Sequence, residues 1–93
     1  MTSKPQTWTV EFDRRALKEL RALGSADRVR VLRFLDERVA GKDDPRQQGK
    51  VLTGELSGIW RYRVGDIRIL ARLEYDRLVV FVVEVGNRRE VYR

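Results

Sequence analysis

The chain reads as an α+β domain: a small, mostly antiparallel β-sheet with an N-terminal αα-hairpin on one face, in the order β-α-α-β-β-β. Three observations predict it. An alternating segment at residues 7–12 runs directly into two stretches of helical periodicity. A Gly65-Asp66 pair separates two runs of strand-type residues, and an unbroken apolar run, Leu78 to Val83, follows them. With 93 residues, one domain spanning 1–93 is expected, with residues 1–6 as a flexible lead-in.

Each element has its own signal. In Thr7-Trp8-Thr9-Val10-Glu11-Phe12 the apolar residues alternate, so Trp8, Val10 and Phe12 share one face of a half-buried strand. Asp13 then offers a side-chain acceptor to a helix start. Arg14 to Leu23 places Ala16, Leu17, Leu20 and Leu23 on one helix face. Gly24 is expected to stop that helix and Ser25 to cap the next, with Asp27 adding a favourable first-turn charge. From Ala26 to Ala40, Val31, Leu32, Leu35 and Val39 form a second apolar stripe. Gly41 to Gly49 reads as a polar loop in which Pro45 ends any helix. Ile59 to Val64 and Ile67 to Leu73 read as a hairpin on a two-residue loop, Gly65 supplying the positive φ. Tyr75-Asp76 turns into Leu78 to Val85, an apolar strand suited to cover on both faces.

Composition narrows the chemistry. There are 20 Lys+Arg against 14 Asp+Glu, no His and no Cys, for a net charge of +6. The absences exclude a disulfide framework, a thiolate nucleophile, a Cys/His zinc site and a histidine general base. No metal or cofactor is expected. Sixteen of the basic residues are Arg, the side chain suited to bidentate phosphate contacts, so a polyanionic partner is indicated. Residues 1–7 lack the apolar core of a signal peptide and the longest apolar run is too short to span a bilayer, so a cytoplasmic location and no membrane partner are expected.

The hairpin concentrates this charge. A two-residue loop sets Val64 against Ile67, Arg63 against Arg68, Tyr62 against Ile69, Arg61 against Leu70 and Trp60 against Ala71. Trp60, Tyr62, Val64, Ile67, Ile69, Ala71 and Leu73 then face the helices, while Arg61, Arg63, Arg68 and Arg72 share the other side. Like charges set opposite one another cost about 0.2–1 kcal/mol per pair. A face that needs only solubility would mix the two signs, so the row is read as a platform for phosphate oxygens. After the last strand, Gly86 permits a turn that would return Arg88 and Tyr92 toward this face, where Tyr92 could stack on a base. Asp43-Asp44 is read as a solvated pair, and Trp8 and Trp60 as core.

These residues resemble the RelE/ParE superfamily of toxins from toxin–antitoxin systems. The likeness runs from about Thr9 to Tyr92 through Phe12-Asp13-Arg14-Arg15-Ala16-Leu17-Lys18-Glu19-Leu20, Lys50-Val51-Leu52-Thr53-Gly54, Trp60-Arg61-Tyr62-Arg63, Arg68 and Val79 to Arg88. The resemblance implies the same fold and, for the RelE branch, a ribosome-dependent endoribonuclease that cuts mRNA in the decoding site by 2′-OH attack. By position it implies catalytic roles for Arg61, Arg63, Arg68, Arg88 and Tyr92, with Arg72, Arg89 and Lys50 as further RNA contacts. Implied partners are a RelB-like antitoxin and mRNA on the ribosome, with 16S rRNA contacts. Well-studied RelE members carry Lys where this chain has Arg61 and Arg63, which leaves the proton acceptor unassigned. The competing readings are a ParE-type toxin that inhibits DNA gyrase and a catalytically impaired RNA-binding or antitoxin-sequestering homologue.

Overall fold

The structure, a computed structural model, describes residues 7–41, 44–54 and 58–87. In chain order it has β1 (Thr9–Phe12), α1 (Arg14–Ala22), α2 (Ser25–Phe34), a π-helical turn (Leu35–Val39), a 3-10 turn (Pro45–Gln48), β2 (Lys50–Val51), β3 (Ile59–Val64), β4 (Ile67–Glu74) and β5 (Val79–Asn87). The strands form one sheet in the order β1-β5-β4-β3-β2. β1 runs parallel to β5 and the other three pairings are antiparallel, so the expected mostly antiparallel α+β sheet is present. β2, a strand of two residues, is an addition to the expected order.

Local chemistry explains the helix ends. Asp13 caps α1, its carboxylate accepting from the Arg15 amide at 3.3 Å. The break between the helices is not the glycine stop expected from sequence. Leu23 leaves α1 in an extended conformation, Gly24 has an ordinary φ of −58°, and Ser25 is already helical. The α1 terminus is instead closed by Arg28, whose guanidinium donates to the carbonyls of Arg21 and Leu23 at 3.1 and 3.3 Å. The second helical segment keeps its apolar stripe to Val39, but its last turn widens, with the Ala40 amide donating to the Leu35 carbonyl at 2.7 Å.

Helix α1 lies against β5 and α2 against β3. Ala16, Leu20, Val31, Leu35 and Val39 from the helical layer meet Trp8, Tyr62, Ile67, Ile69, Ala71, Val80, Val82 and Val85 from the sheet. The predicted hairpin register is the observed one, Val64 facing Ile67 and Arg63 facing Arg68, with Gly65 at a φ of 60°. In β5, Val85 pairs with Ile69 and Val82 with Ala71, a register shift that lets both valines reach the core.

Candidate functional site

The site grows from the β2–β3 edge of the sheet. Before it, Asp44 accepts from the Arg46 amide at 3.0 Å and from the Arg46 side chain at 2.9 and 3.2 Å, which starts the turn at Pro45. These hydrogen bonds hold the Asp44 carboxyl below its usual range. Tyr62 pins the turn from beneath: its hydroxyl donates to the Pro45 carbonyl at 2.8 Å and its ring meets Phe34 edge-on at 6.0 Å. Tyr62 is fully buried, and burial pushes its phenol pKa upward. Gly49 then lets the chain lie directly over β3. A Cβ there would stand 2.9 Å from the Tyr62 ring and 3.0 Å from the Arg61 carbonyl oxygen.

The result is a cleft of about 250 Å³. Phe34, Gln47, Gln48 and Gly49 line one part of it, and Lys50, Arg61 and Arg63 supply its charge. Lys50 stands directly opposite Arg61 in the strand register. Most other described arginines are committed elsewhere. Arg15 binds Glu19 and Glu84, both at 3.2 Å, and Arg77 binds Glu11 at 3.0 Å and Glu74 at 2.8 Å. Among the described residues, Lys50, Arg61 and Arg63 enter no ion pair and the buried Arg61 Nε meets no hydrogen-bond acceptor. A buried donor left unmatched costs about 1–3 kcal/mol. An anion with several acceptor oxygens would relieve that cost and the mutual repulsion of the cations.

A larger hollow of about 430 Å³ lies between α1 and β5, but its cation, Arg15, is already balanced by Glu19 and Glu84. The chemistry therefore favours the smaller, basic cleft.

The structure gathers only part of the expected set. Arg61, Arg63 and Lys50 come together. Arg68 faces Arg63 across the hairpin but does not line the cleft; it is only 3% exposed and is engaged where it lies. Arg72 departs from the uncompensated row read from sequence. Its guanidinium reaches Glu74 at 3.8 Å and covers the Phe81 ring at 5.2 Å. The carboxylate that offsets it sits two residues along the same strand, a pairing hidden from a cross-strand reading. Arg88, Arg89 and Tyr92 lie outside the described residues. Sequence reasoning missed the wall made by Phe34, Gln47, Gln48 and Gly49. The one available signal is Tyr62, a hydroxyl on an apolar strand face that needs a nearby buried acceptor.

The chain matches the family profile described as ParE toxin of a type II toxin–antitoxin system over residues 10–92. The mRNA interferase toxin RelE of Escherichia coli is 33% identical over 89% of this chain and 87% of its own length. The chain belongs to the RelE/ParE superfamily of type II toxin–antitoxin systems. Within that superfamily, Toxin RelG of Mycobacterium tuberculosis is 29% identical, covering 92% of this chain and 97% of RelG. The crystal structure of the RelBE2 toxin–antitoxin complex from the same organism superposes with a TM-score of 0.80 at 28% identity, covering 88% of this chain and 99% of the matched chain. The RelE-like fold of two helices on a mixed five-stranded sheet is thus shared, as the sequence resemblance implied. No helix among the described residues is long and apolar enough to cross a membrane.

Proposed function

We propose that this RelE-family toxin is a ribosome-dependent endoribonuclease that cuts mRNA in the decoding site. The observation that carries the reading is the β2–β3 cleft, where Lys50, Arg61 and Arg63 meet with no carboxylate partner among the described residues. The reaction it suits is transfer of the phosphodiester to the adjacent 2′-oxygen. Charge builds on the phosphorane oxygens, and preorganised guanidinium donors stabilise that charge more strongly than they stabilise the ground state. Arg61 and Arg63 clamp the phosphate, with Arg68 behind them on β4. Arg88 is assigned to the leaving oxygen and Tyr92 to stacking on a base, the roles implied by the resemblance. The cleft presents little surface for holding RNA in the in-line geometry by itself, so the ribosome would supply that orientation. A ribosomal target would place the protein in the cytoplasm.

A RelB-like antitoxin is the proposed protein partner, as in the RelBE2 complex that shares this fold. The test is induced expression with mapping of mRNA 5′ ends on ribosomes. Codon-phased cuts are expected, and Arg61→Ala and Arg63→Ala should each reduce cleavage by about 100-fold. Intact mRNA with arrested DNA supercoiling would overturn the reading in favour of gyrase inhibition, the mode of ParE-type toxins.

A further inference from the structure

Cleavage by 2′-hydroxyl attack needs a group to take the hydroxyl proton, and any assignment of that group rests on the nuclease reading. Arg61 and Arg63 cannot serve, because a guanidinium stays charged in proteins. The amides of Gln47 and Gln48 are not bases. The Tyr62 hydroxyl is buried and spends its proton on the Pro45 carbonyl. Among the described residues no carboxylate lines the cleft, and those on the sheet are occupied, Glu11 by Arg77, Glu74 by Arg72 and Arg77 and Glu84 by Arg15. Lys50 is exposed, lines the cleft and stands opposite Arg61 on the neighbouring strand. Among the described residues that line the cleft, its amine is the one group with a basic neutral form.

We propose that Lys50 accepts the 2′-hydroxyl proton. The N–H bond forms as the 2′-oxygen closes on phosphorus, and the phosphorane collapses with loss of the P–O5′ bond. The 5′-oxygen takes a proton from water, and the hydroxide left behind removes the proton from Lys50. The products are a 2′,3′-cyclic phosphate and a 5′-hydroxyl, and the amine is regenerated. The position is set by the fold, since β2 is an edge strand and brings Lys50 to the phosphate clamp without burying it.

The deciding variant is Lys50→Arg, which keeps the charge and the reach but cannot release a proton. Purified ribosomes carrying mRNA are cut by the wild-type toxin and by the variant across a range of pH. Binding is followed separately with an mRNA bearing a 2′-deoxy nucleotide at the scissile position. The expected result is unchanged binding, a loss of cleavage of at least about 100-fold, the range of a general base, and disappearance of the wild-type rise in rate with pH. A smaller loss, or a variant that keeps that rise, overturns the assignment of Lys50 while leaving the nuclease reading intact. A wild-type toxin that leaves ribosome-bound mRNA uncut overturns both.

Discussion

Tyr62 shows how one side chain can belong to the core and to the site at once. Its ring fills the space between β3 and α2, and its hydroxyl holds the turn that walls the cleft. Tyr62→Phe keeps the ring but strands the Pro45 carbonyl, at a cost of about 1–3 kcal/mol. Thermal unfolding should show it, at about 4–8 °C per kcal/mol for a domain of this size. The same hydroxyl gives a pH signature. Burial raises the Tyr62 pKa above its ordinary value of 10.0. Its contribution to stability is therefore complete below pH 10 and declines as pH rises past that value toward the folded one. Urea unfolding at about pH 8 and again above about pH 10 should show the wild type losing more stability than Tyr62→Phe. An equal loss in both would mean that the hydroxyl is not held as described. Sequence alone marks Tyr62 as a core residue, because its alternation with Trp60 and Val64 is plain. The hydroxyl's partner lies 17 residues away in an unpatterned loop, which no local period reveals.

At the scale of the element, the hairpin is the most legible part of the chain and β2 the least. Gly65-Asp66 forces a two-residue loop, and such a loop permits one register, so every β3–β4 facing pair follows from the turn. β2 has two residues and no period to read; it exists because β3 has a free edge and because Gly49 lets the chain approach. Arg72 escapes a sequence reading for a related reason. The strand period places it on the charged face, but its rotamer takes it toward Glu74 and Phe81. The close approach at Gly49 makes a sharp prediction. In Gly49→Ala the new methyl meets the Tyr62 ring at 2.9 Å and a backbone oxygen at 3.0 Å, and β3 cannot yield without disturbing the sheet. Overpacking of this kind costs about 1–3 kcal/mol. Denaturant unfolding should report that loss, and cleavage should fall as β2 carries Lys50 away from Arg61. A variant with wild-type stability would show that the turn moves freely over the strand.

Over the whole molecule, the net charge of +6 matters less than where it is left unbalanced. Toward β1 and β5, Glu11, Glu74 and Glu84 meet Arg77, Arg72 and Arg15, and those ion pairs are exposed and contribute little to stability. At the opposite edge, Lys50, Arg61 and Arg63 have no such partners among the described residues. Arg63 moreover faces Arg68 across the hairpin, and Arg68 is buried and engaged where it lies. This division predicts that RNA feels Arg63 more than Arg77. Single-stranded RNA held by the three cleft cations should bind with a slope of log affinity against log salt of about −2, near −0.7 for each phosphate neutralised. Arg63→Gln should make that slope shallower by about 0.7. Arg77→Gln removes the same formal charge, but from a guanidinium already matched by two carboxylates, and should leave the slope unchanged. Fluorescence anisotropy of a short RNA titrated at several KCl concentrations separates the two variants. Equal changes in slope would mean that RNA responds to net charge and that the cleft has no special claim on phosphate. A change confined to Arg63→Gln would tie phosphate binding to that edge of the sheet.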